Sequence, residues 1–450
     1  MNALLSLRNP ARLVVLFLLG LVAAAAGLDL RAGRQEAPPR LVASAGGRGA
    51  LLAGAGRAPI ALPPEVVLAG YQAFGRSPKE PSTPLYARSL LLEAGGVRTA
   101  VVLVELLTLP EPLAHAVQER AAAEGAACAL VVASHTHSGP GGYDQAFLPQ
   151  LVLGRYDPAV ERAILEAVEA SLVAARAELA PATLATGEAL GAGLASNRDH
   201  KGEAVDQRIT RVALQRPDGK MVATLARFSA HPTLNPRKVG PAGDWPGFTM
   251  ERLEEQGGVA FVLPGAVGDA RPTRAASPGK GAIRALLFGE TIAERVGAIP
   301  LVAQEGPVAL ACAEVEFDLP PADVAGMVPE GLGRLASNLA APTAPRTARA
   351  MAFQLGDLAL VGVPAEPLGA TAPLFERAAA ARGLRGRVVG VAQGYTSYCV
   401  SEREMERRTT SAHNAWFGEA LTPRVVRAAE AATAALPVPV ARDATQAAAP

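Results

Sequence analysis

The stretch Thr99–His137, TAVVLVELLTLPEPLAHAVQERAAAEGAACALVVASHTH, decides the fold. Its two ends, TAVVLVELLTL (Thr99–Leu109) and ACALVVASHTH (Ala127–His137), are continuous apolar runs that read as buried strands, and Leu113–Glu124 between them reads as a helix. Buried runs separated by a helix predict a parallel βαβ unit, because parallel neighbours need a crossover and expose neither face to water. Just beyond, Asp157–Leu179 predicts a long amphipathic helix with Asp157 as N-cap and Pro158 at its first position.

The middle of the chain has another pattern. RITRVALQRPDGKMVATLARFSAH (Arg208–His231) holds two alternating runs joined by Arg216-Pro217-Asp218-Gly219-Lys220, which has hairpin turn chemistry, and its second strand runs towards His231. ARAMAFQLGDLALVGVPAEP (Ala348–Pro367) turns at Gly356-Asp357 and delivers Glu366 at its far end; GRVVGVAQGYTSY (Gly386–Tyr398) gives a further strand ending near Tyr398. Parallel and antiparallel pairing together predict an α/β fold of layered mixed β-sheets flanked by helices, in a single catalytic domain over residues 58–437.

Outside those limits the sequence changes character. Residues 31–57 are rich in Gly, Ala, Arg and Pro without sustained periodicity and are expected to form a flexible linker; residues 438–450 are expected to be a disordered tail. Residues 1–30 carry Arg8 and Arg12 before the apolar run Leu13–Leu28, which lies between a signal h-region and a spanning helix in length. The segment is expected to be a signal peptide or an N-terminal membrane anchor. The protein is therefore expected to be exported, whether periplasmic, secreted or held at a membrane surface.

Composition excludes some partners. Among 450 residues the formal net charge is +1, with no Lys/Arg cluster interleaved with aromatics, so nucleic acid is not expected as a partner. Cys128, Cys312 and Cys399 are odd in number and far apart, which argues against a disulfide framework and leaves one bridge open.

The chemistry gathers at strand ends. His135 and His137, two of six histidines, close the second apolar run and precede Ser138-Gly139-Pro140-Gly141-Gly142. On an extended segment, residues two apart share a face, and in α/β folds ligands gather outside the carboxyl ends of strands. A catalytic zinc site takes about three protein ligands and keeps a position open. His135, His231 and Glu366, each at a strand end, would supply them. The chain has no G-x-S-x-G elbow, no G-x-x-x-x-G-K-[ST] loop and no H-E-x-x-H, so serine-hydrolase, P-loop and zincin readings lose ground.

The string His135-Thr136-His137-Ser138-Gly139-Pro140-Gly141-Gly142-Tyr143 resembles the T-H-T-H-S-G-P-G-G motif of neutral/alkaline non-lysosomal ceramidases. Further pieces follow in that family's order: Ala69-Gly70-Tyr71, Leu85-Tyr86-Ala87-Arg88, Ser196-Asn197-Arg198, Phe228-Ser229-Ala230-His231-Pro232-Thr233, Gly243-Asp244-Trp245-Pro246-Gly247, Pro364-Ala365-Glu366 and Tyr395-Thr396-Ser397-Tyr398. The resemblance implies one catalytic zinc per chain held by His135, His231, Glu366 and Tyr398. It implies amide hydrolysis, with His137 shuttling a proton from water to the leaving amine and Arg198 positioning substrate or steadying negative charge. The implied substrate is a small amphiphilic N-acyl molecule, ceramide or a related N-acyl lipid. The Gly-Pro-Gly-Gly turn is expected to shape the substrate entrance.

Two departures bear on substrate. Gly268-Asp269-Ala270-Arg271-Pro272-Thr273 puts Arg271 where the family pattern has a serine, and the tyrosine expected about a dozen residues beyond Tyr398 falls within Arg408-Thr409-Thr410-Ser411. The family's C-terminal immunoglobulin-like domain is expected to be lacking. A different amide or ester substrate, or an inactive cell-envelope binding protein, are the alternatives these departures leave open. His413 and Tyr395 are candidate replacement donors.

Overall fold

The computed structural model describes residues 36–70, 83–146, 149–150, 153–237, 240–341 and 344–437. The expected leader (1–30), the expected tail (438–450) and Tyr71 lie outside them. Among the described residues no helix is long and apolar enough to cross a membrane.

Among the described residues three five-stranded sheets carry the fold. The first runs in the order Ala129–Ala133, Val97–Val104, Tyr86–Ala94, Leu52–Pro59, Ala180–Pro181. Val97–Val104 and Ala129–Ala133 are parallel, with the Glu111–Ala123 helix as their crossover, so the expected βαβ unit is present. Both strands are almost wholly buried, as their unbroken apolar sequence requires. The Pro158–Ala177 helix covers this sheet, and the Asp157 side chain accepts the Ala159 N–H at 2.8 Å at its N-terminus.

The second sheet has the order Val259–Pro264, Met221–Phe228, Arg208–Gln215, Thr183–Leu190, Val302–Ala303. Its central hairpin turns where expected: Gly219 N–H donates to Arg216 O at 2.9 Å and Arg216 N–H to Lys220 O at 2.8 Å. The third sheet runs Arg40–Gly49, Val308–Asp318, Thr347–Leu355, Leu358–Gly362, Arg385–Val389, mixing antiparallel pairs with one parallel pair at its end. Mixed sheets flanked by helices are the layered α/β architecture expected. Cys128 at the start of the first sheet's edge strand and Cys312 in the third sheet form a disulfide, while Cys399 is free and buried.

The linker expectation is corrected for residues 40–57. Arg40–Gly49 pairs along the Val308–Asp318 strand and Leu52–Pro59 along Tyr86–Ala94, so this segment belongs to two sheets. Small residues hid the strands from periodicity, and packing explains them. A Cβ on Gly54 would run into Ala175 O and one on Gly56 into Ser171 O, so the strand lies against the Pro158–Ala177 helix at backbone distance. Glycine serves here by its lack of bulk.

A second correction concerns the strand ends. The strands stop at Val104 and Ala133, earlier than Leu109 and His137; just past Ala133, His135 takes φ +65°, a left-handed conformation that ends an extended run. The two histidines thus do not share a face of one strand; the chain turns at His135.

Candidate metal centre

Each side chain in the site is delivered by a chain segment leaving a sheet. His135 stands just past Ala133, and His231 lies just past Phe228, where its N–H donates to Ala270 O at 2.9 Å. Glu366 and Tyr398 face each other in a short parallel ribbon, Glu366–Pro367 beside Tyr398–Cys399, and Glu366 N–H donates to Ser397 O at 2.9 Å. His135, His231, Glu366 and Tyr398 are all buried.

The geometry of the imidazoles fixes their chemistry. His135 Nδ1 lies 2.8 Å from Leu107 O and His231 Nδ1 lies 3.0 Å from Val267 O. A carbonyl only accepts, so each ring carries a proton on Nδ1, and in its neutral form turns a bare Nε2 lone pair inward. Those two Nε2 atoms are 3.1 Å apart. Glu366 Oε2 stands 3.3 Å from the first and 3.7 Å from the second, buried and without a hydrogen-bond partner among the described residues. Three acceptor atoms converge with no proton between them, an arrangement a cation completes. Imidazoles whose outer N–H is held by a backbone carbonyl are the ordinary metal-ligand arrangement, and the donor set of nitrogen and carboxylate oxygen fits zinc.

Tyr398 and Arg198 close one side. The Tyr398 hydroxyl lies 3.5 Å from His231 Nε2, its ring stacked on the imidazole at a centroid distance of 6.4 Å. Arg198 Nη2 donates to that hydroxyl at 2.9 Å and to Gly268 O at 2.7 Å. The Asn197 side chain holds Asp269 at 2.8 Å, which ties the Arg198 strand to the loop that offers Gly268 O and Val267 O.

His137 belongs to the same cluster. Its ring centroid is 5.0 Å from those of His135 and of His231, and ligand atoms of the three histidines all lie within 4.8 Å of one another. The residue keeps some exposure, but both ring nitrogens are withdrawn from water. Burial, then the neighbouring His135, drives its pKa down to about 3. Burial drives His231 well below the ordinary histidine value too. Burial alone would raise Glu366, but positive charge in the cluster, on a protonated His135 ring or an ion in that proton's place, and the Tyr395 hydroxyl outweigh it and hold the carboxyl down at about 2. Neutral imidazoles beside an ionised carboxylate are the protonation states a metal ion needs.

Other expectations resolve differently. The Gly-Pro-Gly-Gly turn is buried, with Gly141 N–H donating to Val67 O and Gly142 N–H to Leu153 O, both at 2.7 Å, and it locks segments together. His413 is exposed, with Nδ1 turned onto Thr409 O at 2.8 Å, and stands outside the cluster. In the segment where the family tyrosine would fall, Ser411 Oγ donates to Gly268 O at 3.1 Å, on the carbonyl that also holds Arg198. Arg271 is exposed, in register with Ser196 and next to Ala270, whose carbonyl takes the His231 N–H. Tyr395, the other candidate replacement donor, gives its hydroxyl to Glu366 Oε1 at 2.6 Å, a contact that the sequence did not indicate.

Comparison with known proteins follows the same direction. A neutral ceramidase of Mycobacterium tuberculosis is 32% identical over 150 residues, covering 30% of this chain and 23% of that protein, so the match spans about a quarter of that relative's length. The crystal structure of neutral ceramidase from Pseudomonas aeruginosa superposes with a TM-score of 0.73 at 20% identity, covering 87% of this chain and 76% of that one. A ceramidase complexed with C2 gives a TM-score of 0.72 at 20% identity, covering 87% of this chain and 77% of that one. Together with this shared fold, the match of residues 51–258 to the family described as neutral/alkaline non-lysosomal ceramidase, N-terminal, bears out the resemblance carried by the His-Thr-His string.

Proposed function

We propose that the chain is a zinc-dependent amide hydrolase of the neutral ceramidase type, cleaving the N-acyl bond of ceramide or a related N-acyl lipid. The observation that carries this reading is the convergence of His135 Nε2, His231 Nε2 and Glu366 Oε2 as bare acceptors in a buried site. These three, with Tyr398, would hold one zinc ion. When bound, the ion supplies Lewis acidity towards an amide carbonyl and brings the pKa of water towards neutrality.

The chain's own groups do the rest. Burial leaves the His137 ring neutral but weakly basic, so its part in carrying a proton from the attacking water to the leaving nitrogen would rely on negative charge developing beside it. An amine leaves poorly as an anion, so that transfer is the step the reaction cannot omit. Arg198 stays charged and keeps the Tyr398 hydroxyl in place, and its charge opposes negative charge developing on the carbonyl oxygen. Burial of the site strengthens these electrostatic effects.

A second reading, hydrolysis of a different amide or ester, is favoured by Arg271, an exposed cation one residue from the Ala270 carbonyl that holds His231. It would select an anionic head group. We place the enzyme outside the cytoplasm and at a membrane surface, in keeping with the Leu13–Leu28 apolar run and the Cys128–Cys312 disulfide, which suits an oxidising compartment.

The test is hydrolysis by zinc-loaded protein of ceramide, other N-acyl lipids, acylated peptides and simple esters, with chelated protein beside it. Ceramide turnover that disappears with the metal supports the first reading, and preference for anionic amphiphiles supports the second. Zinc bound without turnover of any substrate would make the chain a binding protein.

A further inference from the structure

Glu366 has two carboxylate oxygens, and only one faces the histidines. Oε2 lies 3.3 Å from His135 Nε2, while Oε1 accepts the Tyr395 hydroxyl at 2.6 Å. The terminal torsion of a glutamate is soft and roughly two-fold, so an unrestrained carboxylate swings and offers an ion either one oxygen or both. A hydroxyl bonded to one oxygen removes that freedom.

The hydroxyl is itself held. The Tyr395 ring meets Trp416 edge to face, with centroids 5.4 Å apart and planes at 89°. Next to it Thr396 Oγ1 donates to Pro364 O at 2.7 Å, and Ser397 O takes the Glu366 N–H at 2.9 Å, so both partners hang from one backbone frame. The segment that presents Tyr395 is strained. Val391, Gln393 and Ser397 have φ of 51°, 64° and 79°, a left-handed conformation that β-branched valine in particular avoids. Such conformations persist where the surroundings over-determine them, and they gather at functional sites. Here Val391 N–H donates to Ala365 O at 2.9 Å, while the Gln393 side chain takes the Val131 N–H and donates to Glu314, both at 2.7 Å. The strained path is therefore tied to the strand that leads to His135 and to the residue before Glu366.

We propose that Tyr395 is the positioning residue of Glu366: by occupying Oε1 it commits the carboxylate to ligation through Oε2 alone and fixes where that oxygen stands. The inference rests on the metal reading above and adds to it a residue that does not itself face the ion.

The experiment compares wild type, Tyr395→Phe and Tyr156→Phe, each stripped and titrated with zinc(II) or cobalt(II) against a competing chelator. Tyr156 is the control, because its hydroxyl donates to Glu161 and to no residue of the site. Y395F is expected to bind zinc about 10–100-fold more weakly, the usual effect of losing an outer partner of a ligand. Its cobalt spectrum is expected to shift and lose intensity as the second carboxylate oxygen joins the ion, with far-UV circular dichroism unchanged. Y156F is expected to keep the wild-type affinity and spectrum. Wild-type affinity and spectrum in Y395F would overturn the proposal, as would the same change in Y156F, which would mark a general effect of losing a tyrosine hydroxyl. A wild-type chain that takes up neither ion overturns the metal reading first, before any variant is compared.

Discussion

His135 Nε2 and His231 Nε2 face each other at 3.1 Å, each ring having its other nitrogen on a backbone carbonyl. Two lone pairs at that distance repel unless something positive lies between them. Purified protein is expected to carry about one zinc per chain, a stoichiometry that follows from the one such cluster among the described residues. His135→Ala and His231→Ala are each expected to lose it, read by elemental analysis after gel filtration. A variant that retains a full equivalent would sink the assignment of that ligand.

The metal-free protein should lose stability on mild acidification. Burial sets His137 at about 3 and His231 well below the ordinary value of 6.5, so the unfolded chain takes up protons that the folded chain refuses. For a depressed histidine the stability is complete above the unfolded pKa and falls as pH drops below it, by about 1.4 kcal/mol per group per pH unit. Glu366 acts in the same sense at lower pH, from its unfolded value of 4.5 down to about 2. Urea midpoints of stripped protein should therefore fall between about pH 7 and pH 5, and His137→Gln should flatten that slope. An unchanged slope would show that His137 titrates normally.

Arg198 bridges the Tyr398 hydroxyl and Gly268 O with a single nitrogen. Arg198→Gln removes the charge yet leaves the three bare acceptors untouched, so zinc content should stay near wild type. Turnover should fall by roughly 10²–10³, the range for losing one preorganised donor at developing charge. If kcat holds and only KM rises, Arg198 is a substrate-binding group and not part of charge stabilisation.

The Cys128–Cys312 disulfide closes a separation of 184 residues and ties the first sheet to the third. Cys128→Ser with Cys312→Ser should lower stability by about 2–5 kcal/mol, measured by urea denaturation at fixed zinc. Reduction of the native protein should have the same effect. Equal midpoints with and without reductant would mean that the bridge adds nothing to folding.

Much of the fold was legible because buried strands are written as unbroken apolar runs. Thr99–Leu109 and Ala127–His137 announced the βαβ unit, and Arg216–Lys220 its neighbouring hairpin. Residues 40–57 were not legible. Gly46, Gly54 and Gly56 are dictated by close approach to other segments, and a lack of side chain has no periodicity. The site was legible as a set of donor types at strand ends, and the structure brings His135, His231, Glu366 and Tyr398 together. Two things escaped. The turn at His135 depends on one left-handed residue, and the hold of Tyr395 on Glu366 depends on a strained path between Val391 and Ser397. Both are backbone choices imposed by tertiary contacts, to which local pattern is blind.

The acceptors that set the two imidazole tautomers are Leu107 O and Val267 O, main-chain atoms that any residue would provide. The side chains at those positions are therefore free to drift with the core around them. What must be inherited there is a route for the chain through space. Distant relatives of this protein can thus share the same ring orientation while showing no common letter at either place, and a search for the site by matching residues alone would pass over two of the atoms on which it depends.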